Sequence, residues 1–180
     1  MTYSLNKHEL QQILRDQRKE IESLHSKWLP REKLHEFKSL LSSKLVKVVM
    51  GIRRSGKSTL CIHALPFEQF VYINFDDERL IRLTTKDLQT VYEVMTQLNP
   101  QAQFYIFDEI QNIDSWELFI NRLKRKGLNI IVTGSNGQLL SKELATHLTG
   151  RHLSLELMPF SFYEFLGYKN ASIELNEASS

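Results

Sequence analysis

Two short stretches hold the residues best suited to chemistry. The first is Gly51-Ile52-Arg53-Arg54-Ser55-Gly56-Lys57-Ser58-Thr59, a G-x-x-x-x-G-K-S pattern. Glycines at Gly51 and Gly56 permit backbone angles and a close approach that a Cβ would obstruct. The amides from about Ile52 to Lys57 can then turn inward around a phosphate at a helix N-terminus. Lys57 can reach the β- and γ-phosphates of a nucleotide, and the Ser58 hydroxyl is placed to ligate Mg²⁺. The second stretch is Asp108-Glu109, which closes the apolar run Phe104-Tyr105-Ile106-Phe107. Asp108 is the candidate for the Mg²⁺ shell and Glu109 for orienting and polarising an attacking water. An acidic pair at a strand end is weak evidence alone. Preceded by a phosphate-binding loop (P-loop), the pair reads as Walker B to the loop's Walker A.

The surrounding sequence supplies elements that could position both stretches. Leu45 to Met50 reads as a buried strand running into the loop, and Leu60 to Leu65 continues as a helix after it. Pro66 breaks the chain before a second strand, Phe70 to Phe75. Residues 84–98 read as a helix capped by Thr84 or Thr85, with Leu88, Val91, Val94, Met95 and Leu98 inward and Asn99-Pro100 as its stop. The Phe104–Asp108 run is apolar enough for a parallel strand buried on both faces, and acids at its carboxyl end lie where open α/β sheets bind ligands. Trp116, Phe119, Ile120 and Leu123 share one face of the next helix, which Lys124-Arg125-Lys126-Gly127 closes. Three bases in a last turn suit the helix dipole better than they argue for a nucleic-acid patch. A fourth strand, Leu128 to Thr133, leads into Gly134-Ser135-Asn136. Ser135 and Asn136 are both candidates for a sensor of the γ-phosphate, and the same residues could simply make a turn and cap a helix over 138–148. Gly150 ends that helix, and His152 to Leu157 alternates as a fifth strand.

The N-terminal region reads as an arm. Leu10, Ile13, Leu14, Ile21, Leu24 and Trp28 recur at helical spacing over residues 4–28, with Ser4 as its cap. Pro30 suits the first turn of a second helix through Leu34, Phe37, Leu40 and Leu41. The arm is expected to pack on the core rather than on a partner, because its heptad seam is short and interrupted by Gln17. Asp76-Asp77-Glu78 reads as a solvated turn ahead of any catalytic role. The aromatic stretch Pro159 to Leu166 is expected to pack onto the sheet, with a docking surface as the alternative. From Lys169 to Ser180 apolar periodicity vanishes, and disorder is expected. The resulting division is an arm over 1–43, a core over 44–168 and a polar tail over 169–180.

Composition narrows the class. Hydrophobic residues make up 42% of the 180, enough for a globular core. A net charge of +2 demands no nucleic-acid partner. The single cysteine, Cys61, rules out an intramolecular disulfide and a cysteine-cluster metal site, and fits a small buried side chain in a reducing compartment. No apolar run approaches the roughly 18 residues of a membrane span, and the polar N-terminus does not read as a signal peptide. A cytoplasmic location is the expectation.

With GIRRSGKST, FYIFDEIQ, IVTGSN and LTGRHLSLELMPFSFYEFL in this order, the chain closely resembles a family of prokaryotic ATPases in the AAA superfamily. The likeness covers about residues 10–168. It implies an α/β fold, the P-loop NTPase three-layer sandwich, with a five-stranded parallel sheet of order 5-1-4-3-2, and ATP as the nucleotide. It implies Glu109 as the catalytic glutamate. It also implies Arg151, just before the fifth strand, as an arginine finger acting on a neighbouring subunit of a homo-oligomer. Arg53 and Arg54 match the family's loop without a determined role. Family members normally carry a C-terminal domain, and a DNA-directed role rests on that likeness alone. The chain is expected to be a truncated product, an excised domain or a reduced member. The expected activity is Mg²⁺-dependent ATP hydrolysis; the alternatives are a nucleotide-gated interaction module with little turnover and, further off, a small-molecule kinase.

Overall fold

A computed structural model describes residues 6–25, 29–135, 148 and 150–168. Five strands form one parallel sheet: β1 (Val46–Met50), β2 (Phe70–Asn74), β3 (Phe104–Asp108), β4 (Asn129–Gly134) and β5 (His152–Glu156). Their spatial order is β2-β3-β4-β1-β5, which is 5-1-4-3-2 read from the other edge. The central strands are short, apolar and buried on both faces, as parallel strands between helical layers must be.

Helices α1 (Lys7–His25), α2 (Lys33–Leu40), α3 (Lys57–His63), α4 (Leu88–Leu98) and α5 (Trp116–Arg125) cover the sheet. Strand alternation sorts the core into two layers. Val46, Val48, Ile73 and Phe107 face one cluster with Leu10 and Leu14 of α1, Val91 and Met95 of α4, and Trp116 and Ile120 of α5. Val49, Ile106, Ile131 and Leu155 face the other, with Phe37 of α2 and Leu60 and Cys61 of α3. The result is the three-layer sandwich.

The arm packs on this core, and Gln17 gives the reason its seam is interrupted. Edge strand β2 would otherwise present unpaired backbone groups. The Gln17 amide accepts from the Asn74 N–H at 2.9 Å and donates to the Asn74 carbonyl at 3.1 Å and to Asp77 at 2.9 Å. Arg18 donates to the carbonyls of Phe70 and Phe67 at 3.0 and 2.9 Å. Helix α1 therefore covers the edge with side chains in place of a sixth strand. Its cap is Asn6, whose Oδ1 accepts the Glu9 N–H while Glu9 accepts the Asn6 N–H. Ser4 and Trp28 lie outside the described residues.

Other expectations shift. Helix α4 starts at Leu88 rather than near Thr84, because the Thr84 N–H and hydroxyl bond Asp87 and Thr85 bonds the Asp114 carbonyl. Pro30 precedes α2 by a turn rather than opening it. The aromatic stretch does not pack onto the sheet. Residues 162–168 form a short helix whose Phe162 and Tyr163 are 74% and 75% exposed, while Ser161 and Glu164 turn inward. The expected helix over 138–148 and the 169–180 tail lie outside the described residues, apart from Leu148, which is buried.

Candidate functional site

All the strands run the same way, so their carboxyl ends share one edge of the sheet. The loop Gly51–Thr59 leaves β1 there and enters α3. Gly56, with φ 88° and ψ 23°, is the left-handed N-cap that turns the chain into the helix. Gly51 is needed for space: a Cβ on it would lie 2.1 Å from the Leu157 carbonyl oxygen. Arg54 adopts φ 65° without being a glycine. Ile52, Arg53, Arg54 and Thr59 are exposed, Gly51, Gly56 and Ser58 half-buried, and Ser55 and Lys57 buried. The Ser55 hydroxyl is buried with no hydrogen-bond partner in the protein.

Asp108 ends β3 and is 2% exposed. Burial pushes its carboxyl above the ordinary value, and hydroxyls of Thr133, Tyr72 and Ser58 offset only part of that. Ser58 donates at 2.9 Å and Tyr72 at 2.6 Å, one to each carboxylate oxygen, and Thr133 shares the Ser58 side. Burial and the Asp108 charge in turn push the Tyr72 phenol well up. Burial does the same to the Cys61 thiol, so this cysteine is a packed, un-ionised side chain.

Glu109 follows in a left-handed conformation, φ 51° and ψ 44°. Such an angle is uncommon without glycine and recurs at functional sites. Its N–H donates to Thr133 Oγ1 at 3.0 Å. One carboxylate oxygen lies 3.2 Å from Lys57 Nζ; the other accepts from Gln111 at 2.6 Å and from the Ser135 N–H at 3.0 Å. Burial works to raise this carboxyl. The bonds from Gln111 and Ser135 and the Lys57 charge outweigh it and hold Glu109 below its ordinary value. Lys57 also donates to the Ile52 carbonyl at 3.2 Å.

Lys57, Ser58, Asp108 and Glu109 are thus brought together, with the Ser135 backbone on Glu109. Asn136 lies outside the described residues. Arg151 is not at the loop: its carbonyl accepts the Val46 N–H at 3.1 Å, at the opposite end of β1. Five residues at about 3.3 Å each separate that end from Gly51. At the end of β2, Asp76 pairs with Arg53 at 2.8 Å, and Asp77 is held down to about 2, by the Arg79 hydrogen bond against burial, with Gln17 adding to it. Asp76 and Glu78 are exposed, as a solvated turn requires, while Asp77 is half-buried and engaged by Arg79 and Gln17. Sequence reading missed Tyr72, Thr133 and Gln111 as partners of the acids. The strand register is the signal that finds Thr133: β3 pairs β4 up to Phe107 with Val132, which sets Thr133 beside Asp108.

The arrangement fits a Mg²⁺-bound nucleotide. A helix N-terminus, two glycines that leave room, an orphaned buried hydroxyl and an amine beside a carboxylate make an anion cradle. One carboxylate and one hydroxyl, Asp108 and Ser58, suffice for a Mg²⁺ that takes its other ligands from phosphates and water.

Residues 43–166 match the profile of a family described as the AAA domain. MJ1544, an uncharacterized protein of Methanocaldococcus jannaschii, is 40% identical over 132 residues, 72% of this chain and 30% of that protein. An uncharacterized protein of Haemophilus influenzae is 35% identical over 151 residues, 77% of this chain and 36% of that one. The chain therefore spans 30 and 36% of the length of these curated relatives. Among solved structures, PCH-2 of C. elegans superposes with a TM-score of 0.53 over 96% of this chain and 51% of that chain, at 15% identity, which bears on fold alone. Profile, sheet order and loop geometry agree, and this chain belongs to the AAA-domain family of P-loop ATPases.

Proposed function

We propose that the chain binds Mg·ATP in the loop Gly51–Thr59 and hydrolyses its γ-phosphate. The observation that carries this reading is Glu109: ionised, fixed by Gln111, Ser135 and Lys57, and adjacent to the Asp108–Ser58 pair. The amides of the loop cradle the phosphates, and the Lys57 amine meets their charge. Ser58 and Asp108 hold the Mg²⁺, which when bound offsets negative charge on the phosphate oxygens. Glu109 accepts a hydrogen bond from water and aims it at the γ-phosphorus; the bond to the β-γ bridging oxygen breaks, and ADP and phosphate leave. Catalysis on this account is positioning and electrostatics, with no covalent intermediate.

Ser135 and Asn136 are the proposed sensors, residues 44–168 the proposed ATPase core and 1–43 its arm. Arg151, remote from the loop of its own chain, is proposed to act on a second copy in a homo-oligomer. Among the described residues no helix is long and apolar enough to cross a membrane. The lone buried Cys61 supports a reducing, cytoplasmic setting. Among the described residues no contact favours a DNA-directed role.

Phosphate release from Mg·ATP by the wild type and by Glu109→Gln tests the reading. Turnover is expected in the first and at least about a hundredfold less in the second, the usual scale for a general-base contact. ATP binding with no turnover in either would replace it with a nucleotide-gated module.

A further inference from the structure

A buried arginine outside the Asp108 network ties three stretches of chain together. Arg31 lies between α1 and α2 and is 7% exposed. Its Nη1 donates to the Ser55 carbonyl inside the loop at 2.6 Å, its Nη2 to the Met158 carbonyl at 2.7 Å, and its Nε to Glu164 at 2.9 Å. The guanidinium also covers the Phe160 ring, 4.4 Å from its centre. Glu164 is itself fixed, accepting the N–H groups of Glu32 at 2.9 Å and Ser161 at 2.8 Å.

Geometry explains the residue type. A rigid planar fork can serve acceptors in three directions at once, which a lysine amine on a flexible stem cannot do in a buried site. The fork sits where a side chain on residue 56 would be: a Cβ on Gly56 would lie 3.0 Å from Arg31 Nη1. The other glycine of the loop meets the same stretch directly, Gly51 against the Leu157 carbonyl, and Leu157 donates to the Met50 carbonyl at 2.7 Å. Both glycine turns of the loop are therefore braced by residues 157–164, one of them through Arg31.

We infer that Arg31 is a positioning residue for the phosphate-binding loop, clamped by Glu164, and that docking of residues 158–164 is thereby coupled to nucleotide affinity. The coupling half of this rests on the nucleotide reading above. It is reciprocal by linkage: nucleotide must stabilise the docked stretch by the factor by which docking strengthens binding.

The test titrates Mg·mant-ADP into wild type, Arg31→Lys, Glu164→Ala, Glu164→Gln and the Arg31→Lys/Glu164→Ala double variant, each checked for a folded melt. Arg31→Lys and Glu164→Ala should each bind about tenfold or more weakly, within the usual range of coupling. The double should be no weaker than Arg31→Lys alone, because the pair acts as one unit. Glu164→Gln, which keeps one oxygen for Arg31 Nε and the Glu32 N–H but sets an NH2 against the Ser161 N–H, should fall between wild type and Glu164→Ala. Should Arg31→Lys fail to fold, the two Glu164 variants carry the comparison. Hydrogen exchange supplies a second readout: the Ser161 and Glu164 amides should slow on adding Mg·ADP to wild type and not to Glu164→Ala. Folded variants with wild-type affinity, or losses that multiply in the double, overturn the clamp. A wild type that binds no nucleotide would sink the nucleotide reading instead. Exchange at Ser55 to Lys57 then decides the clamp, supported if faster in Glu164→Ala and overturned if unchanged.

Discussion

Asp108 is a carboxylate kept in a dry place by three hydroxyls, and its partners show how the site is tuned. Removing the Tyr72 hydroxyl deletes a bond to a buried ion, a class worth about 1.5–3 kcal/mol. Tyr72→Phe should lower the melting temperature accordingly. The sign with pH follows from which form needs the donor. The Tyr72 bond works against burial and favours the ionised carboxylate, so the penalty of losing it belongs to the ionised form and shrinks as falling pH protonates Asp108, whose folded pKa is raised. Melts of wild type and variant across an acidic-to-neutral series should converge at the acidic end. Lys47 is the mirror case. It is fully buried on β1, its amine donates to the Ser43 carbonyl, and burial, helped by Lys44, lowers it from 10.5 to about 8. Its folded pKa lies below the unfolded one, so the charged amine costs stability in full below about 8, and that cost disappears as pH rises from there towards 10.5. Lys47→Met should be more stable than wild type near neutrality by about 1–2 kcal/mol. The difference should close over that same window. Urea midpoints through the alkaline range would show it, and a gap independent of pH would refute the assignment. The acids themselves were legible because their types and spacing carry chemistry. Tyr72 and Thr133 were not, since a tyrosine and a threonine in apolar strands look like ordinary strand formers until the register sets Thr133 beside Asp108 and Tyr72, opposite Ile106, on the diagonal to it.

Periodicity made most of the elements visible, and it failed where side chains compete with the backbone. Thr84 and Asp87 bond one another ahead of α4, so the helix begins later than the apolar pattern alone suggests. The aromatic stretch misled for another reason. Hydropathy marks Phe162, Tyr163 and Phe165 for burial, whereas polar bonds tie their helix to the arm, Glu164 with Arg31 and the Glu32 N–H and Ser161 with the Glu32 carboxylate. Gln17 reversed the rule again: it breaks the apolar seam of α1 and is buried because an edge strand needs its amide. Gln17→Ala would strand the Asn74 N–H and carbonyl beneath a helix, at about 2–3 kcal/mol. The urea midpoint should fall with the slope unchanged, as for a loss of stability without loss of compactness. Gln17→Leu should do no better, although it restores the seam. A Leu variant more stable than wild type would mean that packing, not edge pairing, decides this position.

The sheet separates two parts of the proposed reaction. Glu109 and Lys57 stand at the carboxyl edge, and Arg151 at the amino edge, on the far side of the strand from its own loop. A rigid domain cannot bring Arg151 to its own nucleotide without unpairing β5 from β1, which are in register from Val46 with His152 to Met50 with Glu156. Any part that Arg151 takes in hydrolysis must therefore be played on another copy. That geometry predicts complementation. Glu109→Gln keeps its arginine and lacks its water-orienting carboxylate; Arg151→Ala keeps the site and lacks the arginine. Each alone should turn over ATP weakly, Arg151→Ala by about 10³-fold or more if its effect matches other arginine fingers. Mixed at concentrations that support assembly, a Glu109→Gln subunit can lend Arg151 to the intact site of its neighbour, and activity should return towards the fraction of such pairs formed. The return should follow the mixing ratio, peak near equal amounts and vanish on dilution. Arg151→Ala with wild-type turnover on its own, or a mixture no more active than its components, would remove Arg151 from the mechanism and leave Lys57, Asp108 and Glu109 to act within one chain.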